Sequence, residues 1–216
     1  MAAYSGRVSR VNASTQTPGR RRRSEGKRVT VLDAAEALFV EEGYDAAGVD
    51  EIAARAQVSK RTVYDHFADK EEIFLQVLER VSDALTGAVR AAIDEELSGK
   101  SGLRDELANF ANRVVGTTLR SSQYAKFRML ESRPGSRPGL PESKRDLAER
   151  MLSERFAGFA ESGRLRAVDP GVAARHFTAL TIKLALEDLV RERSGGSPDL
   201  RKTVSDGVEA FLRAYG

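Results

Sequence analysis

Apolar residues along this chain return every three or four positions, the spacing of one helix face. No segment shows the two-residue alternation of a half-buried strand. The first helix carries Val31, Ala35 and Leu38 on one stripe, widened by Leu32 and Phe39. Gly43 suits the left-handed position that ends a helix, after which Tyr44 can fold back. Two short helices follow, over about Asp50–Ala56 and Lys60–Phe67, joined by Gln57-Val58-Ser59. Ser59 is the N-cap of the second, because its side-chain oxygen can accept from an otherwise unpaired amide. Asp69 and Glu72 form a capping box for a long helix whose apolar stripe is Phe74, Val77, Val81, Leu85, Ala88 and Ala92.

Gly99–Gly102 interrupts that helix, and the next carries Leu103, Leu107, Phe110 and Val114. A shorter one covers Ser122–Ser132. The prolines Pro134, Pro138 and Pro141 then predict a mobile loop, since each lacks a donor and clashes with a preceding helical turn. A helix over about Glu142–Ser162 ends at Gly163. Asp169-Pro170 opens another, which runs to about Arg191, by the pairing of an N-cap with proline at the first helical position. It has two apolar stripes, Ala173, Phe177, Leu180 and Leu184 on one and Ile182, Leu186 and Leu189 on the other. After Ser194-Gly195-Gly196, Ser197-Pro198 starts a last helix with Leu200, Val204, Val208, Phe211 and Tyr215 on one face. The chain reads as all-α.

Charge divides the chain. Residues 1–28 hold eight Lys and Arg against Glu25 alone, a balance of +7 within a total of +3, so the remainder is acidic at −4. A basic arm on an acidic body implies either a polyanion met at one end or a solvated tail. Residues 1–23 lack apolar periodicity and are expected to be disordered without a partner, with order starting near Ser24. No run approaches the ~20 apolar residues that cross a bilayer, and no apolar leader precedes the arm, so a cytoplasmic protein without a membrane partner is expected. Cysteine is absent and histidine occurs only as His66 and His176. That removes disulfides and thiolate sites and leaves no ligand spacing for zinc. With no phosphate loop and no nucleophile–base pair, we expect neither a cofactor nor an enzyme.

The informative stretch is Val49 to Phe67. Two short helices with a three-residue turn, steadied by the preceding helix, make a helix-turn-helix. Ile52, Ala53, Ala56, Val58, Val63 and Phe67 face inward. Lys60, Arg61, Thr62, Tyr64 and His66 face outward, a set in which cations and hydroxyls suit phosphates and arginine suits guanine in a major groove. Tyr64 could also be read as packing, although Val63 and Phe67 already fill the apolar positions.

The run Phe39-x-x-x-Gly43-Tyr44, then Val49-x-x-Ile52-Ala53-x-x-Ala56-x-Val58-Ser59-x-x-Thr62-Val63-Tyr64-x-His66-Phe67-x-x-Lys70-Glu71, resembles the N-terminal signature of the TetR family of transcriptional regulators. The Phe127–Leu130 segment with its proline loop is similar to the AefR-type regulatory domain. The resemblance implies an N-terminal three-helix DNA-binding domain joined by a long helix to a larger ligand-binding and dimerisation domain, with boundaries at 1–23, 24–68 and 69–216. It places Thr62, Tyr64, His66 and Lys70 where members contact phosphates and Lys60 and Arg61 where base contacts arise, with Ser59 and Val49 as further DNA-binding positions. Ala47 and Gly48 stand where members often have Ser or Thr, Gln57 replaces a turn glycine and Arg61 a frequent glycine, so operator preference does not follow by analogy.

The arm residues Arg20, Arg21, Arg22 and Arg23 are candidates for a minor groove, with an electrostatic tether or inert tail as alternatives. Leu107, Phe110, Phe127, Leu130, Met151, Phe156, Phe159 and Phe177 are core residues that the resemblance turns into candidate pocket walls. His176 beside Phe177 reads as a packed or interface histidine. Ile182, Leu186, Leu189, Val208, Phe211 and Leu212 would cover the second apolar face in a homodimer. Two-fold symmetry then predicts an inverted-repeat operator on double-stranded DNA, and the resemblance implies release by a small-molecule effector. The other class of reading is a helical protein-interaction module whose helix-turn-helix is degenerate.

Overall fold

The computed structural model describes residues 18–132, 139–140, 146–167, 169–193 and 195–216. These residues form helices α1 (Pro18–Glu41), α2 (Val49–Arg55), α3 (Lys60–Tyr64), α4 (Lys70–Glu96), α5 (Leu103–Arg113), α6 (Ser122–Ser132), α7 (Leu147–Glu161), α8 (Pro170–Thr178), α9 (Leu184–Arg193) and α10 (Leu200–Tyr215). Helix α1 opens at Pro18 rather than near Ser24, so part of the basic arm is helical backbone. Residues 1–17, the proline loop at 133–138 and 141, and the expected helix start at 142–145 lie outside the described residues.

Caps explain the boundaries. Asp69 Oδ1 accepts from Glu72 N at 2.8 Å, while the Glu72 carboxylate reaches back to Ala68 N at 2.6 Å, one residue beyond an ideal capping box. Asp169 caps α8 by accepting from Val172 N at 3.0 Å. Helix α10 is capped by Asp199, which accepts from Arg201 N and Lys202 N, and not by Ser197 as the Ser-Pro pair suggested. Gln57 is left-handed at φ 55°. Its strain, roughly 1 kcal/mol, is offset because Val58 N bonds Ala53 O at 3.0 Å and Gln57 N bonds Ala54 O at 3.1 Å, which satisfies the carbonyls that end α2.

Two apolar cores form. The first joins α1, α2 and α3 to the N-terminal part of α4 through Leu38, Phe39, Ile52, Val63, Phe67, Phe74 and Val77. Phe74 meets Phe39 edge-on at 5.1 Å and Tyr44 at 5.0 Å, so Tyr44 does fold back. Because Ile73 to Val81 belong to this core, it extends past residue 68 into α4. Leu130 and Leu140 also pack here. The second core lies around Phe110, Phe156, Phe177 and Phe211, with Phe177 and Phe211 at 5.3 Å.

Two π turns, Val114–Thr118 and Ala179–Lys183, extend α5 and connect α8 to α9. The second accounts for the doubled stripe. Buried positions run Ala173, Phe177, Thr181, Ala185 and Leu189. Steps of four drift about 40° each in a helix of 3.6 residues per turn, and the wider turn absorbs the drift. Leu184 is thereby turned outward, to 42% exposure. Gly207 of α10 lies against this turn so closely that a Cβ there would sit 2.1 Å from the Leu180 carbonyl oxygen.

Candidate nucleic-acid interface

Helix α3 is held by its inner face. Val63 is 0% and Phe67 2% exposed, while Tyr64 is 49% exposed, so its ring is not core packing. Ser59 Oγ accepts from Thr62 N at 3.1 Å and lies 2.9 Å from Thr62 Oγ1, which fixes the first turn and commits the Thr62 hydroxyl. Lys60 and Arg61 are exposed beside it and His66 is half-buried. Val49, the first residue of α2, is half-buried against the first core. Its N-cap, Gly48, contributes no side-chain bond.

The two lysines differ from the expectation of free cations. Lys60 Nζ is 2.9 Å from Asp50 Oδ1 and 3.0 Å from Asp50 Oδ2, and hydrogen bonding to that carboxylate raises the ammonium above its ordinary range. Both groups are exposed, so phosphate can compete with this pair. Lys70 turns inward: its ammonium donates to the carbonyls of Tyr44 at 2.9 Å, Ala47 at 3.3 Å and Asp45 at 3.4 Å, and sits 4.5 Å from the Tyr44 ring centre. Its visible role is to fasten the α1–α2 connection to α4. Arg61, by contrast, has no ion-pair partner among the described residues. Arg22 and Arg23 are exposed on α1, whereas the side chains of Arg20 and Arg21 lie outside what is described. Arg28 was not anticipated: its guanidinium lies over the Phe67 ring at 5.6 Å and it donates to Gln76, tying α1 to the end of the helix-turn-helix.

An ionic hub joins this headpiece to the second half of the molecule. Glu36 of α1, only 12% exposed, accepts from Lys126 of α6 at 2.6 Å and from Arg80 of α4. Arg80 also donates to Asp33 at 2.6 Å. Burial pushes the Glu36 carboxyl up, but the hydrogen bonds and charges of Lys126 and Arg80 outweigh it and leave the group below its ordinary range.

The expected pocket walls mostly belong elsewhere. Leu107, Phe156, Phe159 and Phe177 are packed within the second core, which leaves them no free surface. Leu130 lies in the first core. Met151 borders an outer cleft with Arg90 and Arg155, and Phe127 a cleft with Leu85 and Leu140. Phe110 alone of the eight reaches an apolar cavity of about 280 Å³, beside Leu85, Val89, Leu152, Thr118 and Tyr124. The second π turn brings Ile182 into this wall too, although its stripe suggested a subunit interface. A larger cleft, about 580 Å³, is a polar surface feature with Asn109, Asn112, Arg120 and Arg201. Of the expected interface residues, Val208 and Phe211 are buried in the chain's own core, while Leu189, 7% exposed, borders a surface groove with Leu186 and Val190. Leu186 and Leu212 remain partly exposed, and Leu184 and Val190 join them. His176 Nδ1 lies 2.6 Å from the Tyr215 hydroxyl.

An all-helical chain with a capped helix-turn-helix on one core and a long helix leading into a second defines a nucleic-acid-binding headpiece on a helical body. Residues 31–77 match the model of bacterial regulatory proteins of the TetR family, and residues 105–216 match the AefR-like transcriptional repressor C-terminal domain. The chain belongs to the TetR family of DNA-binding transcriptional regulators. It is 42% identical over 92 residues to the HTH-type transcriptional activator FasR of Mycolicibacterium smegmatis, a match spanning 43% of this chain and 42% of that one. It is 28% identical over 189 residues to the HTH-type transcriptional repressor AcnR of Corynebacterium diphtheriae, 87% of this chain and 92% of that one. A TetR-family regulator from Mesorhizobium loti superposes with a TM-score of 0.71 at 25% identity, over 90% of this chain and 98% of that one. No described helix is long and apolar enough to cross a membrane.

Proposed function

We propose that the protein is a homodimeric repressor that grips an inverted-repeat operator and is released by a small molecule in its second domain. The observation that carries this reading is the two-sidedness of α3, which anchors Val63 and Phe67 inside while Arg61 and Tyr64 stand free outside. In this reading Arg61 reaches base edges, Tyr64, Thr62 and His66 meet phosphates, and the arm of Arg20 to Arg23 adds electrostatic attraction. Lys60 joins by exchanging Asp50 for phosphate. Lys70 acts by holding the α1–α2 connection in place. A two-fold axis sets paired recognition helices about 34–36 Å apart, one turn of B-DNA. Likeness to the AefR-like repressor domain and, over 87% of this chain, to AcnR favours repression, whereas the likeness to the activator FasR spans 43% of this chain.

Fluorescence anisotropy with the gene's own upstream duplex at low ionic strength tests this. Arg61→Ala and Tyr64→Ala should each weaken binding about fivefold or more with helicity unchanged, an effect of about 1–3 kcal/mol per contact. Removing residues 1–23 should flatten the dependence of log K on log salt by about 0.9 for each phosphate that the arm no longer neutralises. Equal affinity of all three variants with wild type would overturn the assignment of this surface.

A further inference from the structure

The apolar cavity has a chemical bias that narrows its occupant. We propose that it takes a compact, mainly apolar molecule with an uncharged or cationic head that donates a hydrogen bond, and that it turns carboxylates away. This rests on the reading of the chain as an effector-controlled regulator.

Three observations converge. The first is size. At about 280 Å³, the cavity is nearly twice the engineered ~150 Å³ apolar cavity that admits benzene, which sets the scale at about a dozen non-hydrogen atoms. The second is the character of the wall. Leu85, Val89, Phe110 and Leu152 are hydrocarbon, and the polar residues that interrupt them include the threonines Thr118 and Thr178. The third is charge. Among the described residues lining the cavity, Glu149 is the one ionisable at neutral pH, and no Lys, Arg or His lines it. The Glu149 side chain is 42% exposed, which places it at the rim, and it lies 3.6 Å from Arg175, which does not line the cavity.

The consequence is asymmetric. A neutral or cationic donor can hydrogen-bond to Glu149 and the threonines while its chain fills the apolar wall. A carboxylate would lose water and meet like charge, and the compensation from Arg175 is screened because that side chain is 56% exposed. Both π turns border the same space, one supplying Val114 and Thr118 and the other Ile182. Such turns often mark functional sites in helices.

The experiment uses the full chain and three probes of equal chain length, octylamine, 1-octanol and octanoate, titrated calorimetrically. Octylammonium and octanol should bind, and octanoate should be at least tenfold weaker. Glu149→Gln should shrink the gap between octylammonium and octanoate to about threefold or less. Leu152→Trp, which fills the cavity, should weaken all three probes. Equal or tighter binding of octanoate, no binding of the amine or the alcohol, a gap untouched by Glu149→Gln, or affinities unchanged by Leu152→Trp would each overturn the proposal. Release of the upstream duplex is read separately by anisotropy. Binding in the predicted order without release would support the ligand class while overturning effector control.

Discussion

At the residue scale, Gly207 shows how one missing side chain sets a helix crossing. Alanine normally stabilises a helix interior by about 1 kcal/mol over glycine. At Gly207, however, the new Cβ would meet the Leu180 carbonyl oxygen at 2.1 Å, a backbone atom that cannot swing aside. Overpacking of that kind costs about 1–3 kcal/mol, so Gly207→Ala should be destabilising by thermal unfolding, lowering Tm by several degrees. Gly87→Ala and Gly158→Ala, where nothing lies within 4 Å of the added carbon, should raise Tm slightly. An unchanged or raised Tm for Gly207→Ala would contradict the tight crossing. The sequence showed Gly207 merely as a gap on an amphipathic helix, because the partner is a carbonyl in a π turn that apolar spacing does not reveal.

At the element scale, α6 belongs to both halves of the molecule. Its Leu130 packs in the first core, its Lys126 reaches Glu36 of α1, and its Tyr124 lines the cavity. The Glu36 carboxyl is held below its ordinary 4.5 in the folded protein. A depressed carboxyl stabilises the fold above its unfolded value, and the benefit is lost as pH falls through the folded value. Thermal stability should therefore decline below about pH 4.5, and Glu36→Gln should lessen that decline. Lys126→Met should cost about 1–2 kcal/mol at neutral pH, typical of a charged hydrogen bond to a partly exposed donor, and progressively less as pH falls through the folded value of Glu36. Identical acid profiles for wild type and Glu36→Gln would remove the hub as their cause. Periodicity located α6 from Ser122 to Ser132, since those boundaries are written in local residues. It marked Leu130 as core without saying which core, because a stripe says that a residue is buried but not against what. Asp50 was likewise visible as a helix-start residue and invisible as the partner of Lys60.

At the scale of the whole molecule, the second apolar face is smaller than the stripes implied. Val208 and Phe211 are used internally, so an interface on α9 and α10 would rest on Leu184, Leu186, Val190 and Leu212, with the edge of Leu189. Val190 is 55% exposed, the most among the exposed large apolar side chains. If this surface pairs two copies, Leu184→Glu with Val190→Glu should sediment as a monomer at micromolar concentration with helicity retained, and upstream-duplex affinity should fall with it. A wild-type chain that already sediments as a monomer would reject the dimer. The helix-turn-helix itself was legible almost residue by residue, because its caps, turn and inward positions are all local. The cavity was not, because two π turns rotate their helices away from the frame that a regular period assumes. One further consequence lies in the three carbonyls that grip Lys70. They leave no slack between the top of α4 and the α1–α2 connection, so the headpiece should swing as a rigid block. A tilt of the long helix would then reach the groove-facing side chains as displacement instead of being dissipated in a flexible joint.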